Sequence, residues 1–127
     1  MDELVARFLT AFENLDLDAF MACFAPSASA FFPPPEPPHR HDGRDAIRER
    51  FTLVFAAIRT AAGGGPPYHR LPPVDLSVMP LGESAAVATF HLVNEARLAR
   101  RSLILHRLDG RWLIVHLHAS TVPRPGG

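Results

Sequence analysis

The sequence predicts an α+β fold in which helices cover one face of an antiparallel sheet. Helical spacing of apolar residues dominates the first half of the chain, and from residue 70 the pattern changes to strand-like alternation. The dipeptide Asp109-Gly110 is a strong hairpin signal between the last two strands. A length of 127 residues suits one domain, which we expect over residues 1–122 with a flexible tail at 123–127.

Three helices are predicted before residue 62. The first covers residues 2–14 and carries apolar residues at helical spacing: Val5, Phe8, Leu9 and Phe12. The second is capped by Asp16 or Asp18, ends at Pro26, and has an apolar face of Leu17, Phe20, Met21 and Phe24. The third is capped by Asp42, ends in the glycine-rich run 61–67, and buries Ile47, Phe51, Val54, Phe55 and Ile58.

The remaining segments are predicted as strands and loops. A short strand over "SASAFF" precedes the proline-rich loop "PPPEPPHRHDG", because proline lacks the amide donor that a helix or a central strand needs. Four later strands are "VDLSVM", "AAVATFHLVN", "RRSLILHRL" and "RWLIVHLHASTV". Because the strand around Phe90 is apolar on both faces, it needs a cover on each side.

Composition excludes several classes of function. Thirteen basic residues, all arginine, balance thirteen acidic ones, so charge gives no reason to expect nucleic acid or a membrane surface as partner. The absence of lysine excludes Schiff-base chemistry, and the single Cys23 excludes an intrachain disulfide. The N-terminus does not resemble a signal peptide, and a cytoplasmic location is expected.

The histidines of the last hairpin are candidates for chemistry. A two-residue turn would pair His116 with Leu103 and His118 with Arg101, with His106 on the opposite face. Because a zinc site needs at least three protein ligands, no metal site is predicted. Arg101 facing His118 would favour a neutral base, whereas half-buried histidines that only support the sheet are the plainer alternative. Arg97, Arg100 and Arg101 are expected to form a solvated basic cluster.

The order of elements and the final hairpin resemble the SnoaL-like, nuclear transport factor 2-like superfamily. They are similar in particular to the association domain of calcium/calmodulin-dependent protein kinase II, with its turn Trp-His-Arg-Arg-Asp-Gly-Lys-Trp and its strand Val-His-x-His-x-Ser. The matching residues here are His106, Arg107, Asp109, Gly110, Trp112, Val115, His116, His118 and Ser120. Residues 81–92 resemble the preceding hairpin of the family, so the resemblance spans nearly the whole chain.

The resemblance implies a cone, in which a curved sheet wraps around the long third helix and leaves a pocket at the open end. It also implies homodimers built through the sheet face. Pocket arginines of the kinase association domains correspond to Leu103 and Ala119 here, which implies a more apolar pocket. His91 stands where the family has another basic residue and is the best candidate for a polar contact with a ligand.

A pocket in such a cone would be lined by a set of aromatic and strand residues. The candidates are Phe12, Phe24, Phe31, Phe51, Phe55, Tyr68, His91, Leu103 and His118. The first hypothesis is a homodimeric domain that binds an apolar small molecule without a cofactor. The alternatives are an enzyme acting on a polyketide- or steroid-like substrate with His91, His116 or His118 as general base, and an oligomerisation module without a ligand.

Overall fold

Three helices lie against one face of a sheet of six strands in the computed structural model, which describes residues 1–34, 37–93 and 97–124. The helices are α1 (Asp2–Glu13), α2 (Leu17–Met21) and α3 (Arg44–Ala62). The strands are β1 (Phe24–Phe31), β2 (His41–Asp42), β3 (Val74–Pro80), β4 (Ala85–Val93), β5 (Arg97–Leu108) and β6 (Arg111–Pro123). Within the described ranges, no helix is long and apolar enough to cross a membrane.

The sheet is curved and open, with the strand order β2-β1-β6-β5-β4-β3. Neighbouring strands are antiparallel except for β1 and β6, which run parallel and are separated in the chain by β2, α3, β3, β4 and β5. We call the face covered by the helices the inner face and the opposite one the outer face. The predicted α+β class and the cone-like wrapping of a sheet around the third helix are confirmed.

Two helix ends differ from the sequence prediction. Phe24, assigned to the second helix, is the first residue of β1, since that helix already ends at Met21. Gly43 rather than Asp42 is the N-cap of α3, because the Asp42 carboxylate instead accepts a hydrogen bond of 2.6 Å from Nε of Arg40. At the other end of the chain, β6 extends to Pro123, and residues 125–127 of the predicted tail lie outside the described residues.

A β-bulge at Val115 decides which side chains of β6 face inward. Ile114 pairs with Leu105 and His116 pairs with Ile104, so Val115 has no partner on β5. An unpaired residue reverses the alternation of faces beyond it. As a result, Ile114 and Leu117 both face inward, although three positions separate them, and both are buried.

Phenylalanine side chains join the helices to the inner face. Phe20 of α2 is completely buried, and its ring lies 4.9 Å from the ring of Phe8 on α1 and 4.6 Å from that of Phe51 on α3. It also contacts Phe24 on β1 at 5.4 Å. Aromatic rings at such distances add a stacking or edge contribution to the gain from burying their large apolar surface. Phe20 therefore links all three helices to the sheet.

The substitution Phe20→Ala is expected to lower the free energy of unfolding by about 3–5 kcal/mol, because it leaves a cavity where the helices meet the sheet. Leu53→Ala is the matched control: Leu53 is 66% exposed on α3, and its loss should change stability by less than about 0.5 kcal/mol. Denaturant unfolding followed by circular dichroism measures both. Equal effects of the two variants would show that Phe20 has no central place in the core.

Candidate functional site

A cavity of about 130 Å³ lies inside the cone, between α1, α3 and the inner face of the sheet. Its apolar wall is built from one side of α1, one side of α3, the segment after β1, and the inward positions of β4 and β6. The lining residues are Phe8, Leu9, Phe12, Phe32, Pro33, Arg50, Phe51, Val54, Leu92, Arg101, Leu117 and Ala119. The cavity is therefore largely apolar, with two arginines set into its wall.

Arg101 reaches the cavity because it is an inward residue of β5, in alternation with the buried Leu103 and Leu105. Nη1 of Arg101 donates hydrogen bonds to two backbone oxygens, those of Arg100 at 3.1 Å and Ser120 at 3.4 Å. Burial lowers the pKa of Arg101, although a guanidinium still keeps its proton near neutral pH. This side chain is thus a desolvated cation at the edge of an apolar cavity.

Among the described residues, Arg101 has no carboxylate counter-ion. In the described part of the chain, ion pairs join Arg40 to Asp42 and Arg48 to Asp18, and neither involves Arg101. Because a partly buried charge is stabilised by an opposite charge nearby, an anion bound in the cavity would complement this guanidinium.

Arg50 supplies the second positive charge of the cavity wall. It lies on α3 three residues after the buried Ile47 and directly before Phe51, and thus within the helical stripe that faces the sheet. The cavity therefore receives one guanidinium from a helix and another from a strand. Sequence reasoning missed Arg50, although its helical spacing from Ile47 and Val54 is a usable signal.

The basic cluster predicted at Arg97, Arg100 and Arg101 is divided by the sheet. The side chain of Arg100 points to the outer face, where its Nε donates to Oγ of Ser120 at 3.0 Å. Arg101 points the other way, into the cone. The expectation that all three form a solvated face is therefore wrong for Arg101, because adjacent strand residues lie on opposite faces.

The histidines of the final hairpin lie on the outer face, away from the cavity. His116 is opposite Ile104 and His118 is opposite Ser102, because the bulge at Val115 shifts the expected pairing by one residue. Arg101 is opposite Ala119, so the predicted Arg101–His118 pair does not form. His106, expected on the face opposite to His116, shares the outer face with it.

His116 is held in a small cluster on the outer face. Its Nδ1 is hydrogen-bonded to Oγ of Ser29 at 2.8 Å, and the Phe31 ring lies 5.6 Å from the rings of both His116 and His118. Burial lowers the pKa of His116, and the positive charges of His118 and Arg40 add to this effect. The arrangement supports the hypothesis of a structural role for His116.

Most of the predicted pocket residues lie elsewhere in the fold. Phe12 and Phe51 line the cavity. Phe24, Phe55 and Leu103 are buried in the core behind it, whereas Phe31, His91 and His118 are on the outer face. Tyr68 packs under the guanidinium of Arg59, whose Cζ is 5.3 Å from the ring centre. His91 pairs with Arg100 across the sheet, so its side chain points away from the cavity that it was expected to enter.

The charged groups of the cavity wall are suited to binding an anion. Among its described lining residues, the only groups with a full charge are the guanidinium groups of Arg50 and Arg101, and no imidazole, carboxyl or phenol is present. Across residues 1–34, 37–93 and 97–124, no three His, Cys, Asp or Glu side chains are grouped closely enough to hold a metal ion. Two guanidinium groups can bind and orient an anion or stabilise negative charge.

The chain belongs to the SnoaL-like domain family, whose sequence profile matches residues 1–125. This confirms the resemblance stated above. A comparison with curated proteins gives no match.

Solved structures share the fold at low sequence identity. A protein with a cystatin-like fold from Caulobacter vibrioides is 19% identical, with a TM-score of 0.75 over 98% of this chain and 87% of that one. A candidate dehydratase of the NTF2-like family from Streptomyces avermitilis is 18% identical, with a TM-score of 0.73 over 95% and 92% of the two chains. A candidate calcium/calmodulin-dependent protein kinase II association domain from Xanthomonas campestris is 18% identical, with a TM-score of 0.66 over 99% and 86%.

Protonation of His116 is expected to destabilise the protein. Because the folded pKa lies below the ordinary value of 6.5, the unfolded chain binds a proton first as the pH falls, and stability decreases from about pH 7 downward until the folded group also titrates. The variant His116→Asn should therefore lose less of its melting temperature than the wild type between about pH 7.5 and pH 5.

The exposed His39 supplies the control, because His39→Asn removes a histidine that is not in the outer-face cluster. Thermal unfolding of the three proteins at each pH makes the comparison. Coincident pH profiles for wild type and His116→Asn would contradict the lowered pKa of His116 in the folded protein.

Proposed function

We propose that this protein binds a small organic anion, a carboxylate joined to a short apolar group, in the cavity lined by Arg50 and Arg101. The observation that carries the proposal is the desolvated guanidinium of Arg101, which has no carboxylate partner in the described part of the chain. Guanidinium groups form strong, geometrically specific hydrogen bonds with carboxylates. The phenylalanines around it would contact the apolar part of the ligand.

The hydrogen bonds of Arg101 leave donors for a ligand. Both of its backbone contacts use Nη1, and within the described residues Nε and Nη2 donate to no protein atom. A guanidinium carries five N–H donors in a fixed plane, and the edge formed by Nε and Nη2 matches the two oxygens of a carboxylate. A bidentate contact at this edge would partly compensate the desolvation of the cation.

The size of the cavity limits the ligand. A volume of about 130 Å³ is well below the range typical of sites for drug-sized molecules. It corresponds to the volume of about four water molecules. A short aliphatic or small branched acid suits this space better than the polyketide- or steroid-like substrate considered from the sequence.

The residues of the cavity favour binding over the alternative functions. His91, His116 and His118 lie on the outer face, whereas the cavity lies on the inner face. None of them is therefore placed to act as a general base on a molecule in the cavity. The likeness to a candidate dehydratase concerns the fold. A cavity with two arginines also favours a ligand over a pure assembly role. The cytoplasmic location stays a prediction.

The substitution Arg101→Met is expected to weaken the binding of short carboxylates such as propionate or butyrate by about 10- to 100-fold, the effect of losing a charged hydrogen bond. Arg100→Met is the matched control, because it removes the neighbouring guanidinium, which points to the outer face. Isothermal titration calorimetry of wild type and both variants measures the effect. Equal affinities in all three proteins would exclude Arg101 as the anion contact.

We also propose that the outer face of the sheet binds a second copy of the chain. Four of its apolar side chains are strongly exposed: Val74 (47%), Met79 (54%), Val93 (41%) and Ile104 (39%). Exposed apolar side chains that collect on one face often mark protein interfaces. The fold is shared with a candidate association domain, which agrees with self-association through this face.

The substitution Ile104→Glu is expected to produce a monomer, because it places a charge in the middle of the outer face, opposite Val87 and His116. Leu53→Glu, on the exposed side of α3, should leave a dimer intact. Light scattering coupled to size-exclusion chromatography at micromolar concentration gives the mass of each. A monomeric wild type would refute the proposed dimer without bearing on the cavity.

A further inference from the structure

A further polar group, the imidazole of His41, lies close to the cavity and is separate from the features described above. Nε2 of His41 is buried, and within the described residues it has no hydrogen-bond partner. Buried polar atoms in folded proteins are nearly always hydrogen-bonded, so an exception calls for an explanation. One explanation is a partner that enters only when a ligand is bound.

The sheet places His41 on the same face as the cavity. His41 of β2 pairs with Ala30 of β1, and Ala30 in turn pairs with the cavity-lining Leu117 of β6. Residues paired directly across strands point to the same side of a sheet. The imidazole of His41 therefore lies on the inner face, at the edge of the sheet formed by β2. The histidines of the final hairpin lie on the outer face.

A single aromatic ring separates His41 from the cavity. The ring of Phe32 lies 4.9 Å from the imidazole of His41 and 5.5 Å from the ring of Phe51. Phe32 and Phe51 both line the cavity. Phe32 is only half-buried and follows the end of β1, so its ring has room to change rotamer without moving the sheet.

The charged neighbours of His41 do not complete its hydrogen bonding. The carboxylate of Asp42 is bound to Arg40, and Asp42 lies opposite Ser29 and thus on the outer face. The ring of His39 stacks on that of His41, with centres 5.3 Å apart. A stacked aromatic ring provides no hydrogen bond to Nε2.

From this arrangement we propose that His41 is a second polar contact of the bound molecule, reached when the Phe32 ring turns aside. The inference rests on the proposed function and narrows its ligand class. The ligand is a short carboxylic acid that carries an additional hydrogen-bonding group, such as an oxo, hydroxyl or amide group, at the end remote from the carboxylate. Arg101 binds the carboxylate and Nε2 of His41 binds the second group, as donor or acceptor according to its tautomer.

The test compares pairs of probes that differ only in the second group. Each pair is a straight-chain oxo acid of about four to five carbons and the unsubstituted acid of the same length. For at least one pair, the wild type should bind the oxo acid about 3- to 10-fold more tightly, the effect of one additional neutral hydrogen bond.

In His41→Leu that preference should disappear, while the affinity for the unsubstituted acid stays within about twofold of the wild-type value. His41→Gln, which can still donate or accept a hydrogen bond, should retain part of the preference. His39→Leu is the matched control in the same segment and should keep all of it. If His41→Leu does not fold, as judged by circular dichroism, the test uses His41→Gln and His39→Leu. A weaker preference for the oxo acid in His41→Gln than in His39→Leu then supports the contact with His41, and equal preferences contradict it.

A direct signal is available from the imidazole nitrogens. In ¹⁵N NMR spectra of the histidine rings, the Nε2 resonance of His41 should shift on addition of the preferred oxo acid and not on addition of its unsubstituted counterpart. A preference that survives in His41→Leu, or a wild type without preference in every pair, would overturn the role of His41 while leaving the carboxylate site at Arg101 intact. If no acid binds the wild type at all, the proposed function fails, and this inference fails with it.

Discussion

The fold depends above all on the burial of one sheet face beneath helices through phenylalanine side chains. Phe20 contacts aromatic rings on α1, α3 and β1, and the inward alanines Ala86 and Ala88 of β4 leave room for such large side chains. Because the apolar surface of each helix is satisfied only against the sheet, helices and sheet stabilise each other. The cavity lies where this packing stops short, at Phe12, Phe51 and the end of β1.

The bulge at Val115 divides the chemistry of the molecule between the two faces of the sheet. Without it, strict alternation along β6 would place His116 with Ile114 on the inner face. With it, Leu117 and Ala119 face inward beside Arg101, and the hydrogen bond between His116 and Ser29 forms on the outside. A single unpaired residue thus makes the interior apolar except for its arginines, and exposes the histidines to the surface proposed for dimerisation.

The two faces consequently separate two kinds of interaction. Inside the cone, desolvation strengthens the attraction of a guanidinium for an anion and also restricts what can enter by size. Outside, the exposed aliphatic residues around Ile104 favour contact with another apolar surface, beside a His116 whose pKa is lowered by burial. Since ligand and partner would approach from opposite sides, either function can be tested without disturbing the other.

The sequence by itself determined the α+β class, the three helices and the long strands, because these follow from local periodicity and turn residues. The family was indicated separately, by the resemblance of the final hairpin to a known motif. Two further patterns could have predicted the cavity arginines: Arg50 has helical spacing within a buried stripe, and Arg101 alternates with Leu103 along a strand. Only the tertiary structure decided the inward and outward assignment of the histidines, the exclusion of His91 from the cavity and the placement of His41 behind Phe32. These features depend on the bulge and on pairing between strands far apart in the chain, which local patterns do not encode.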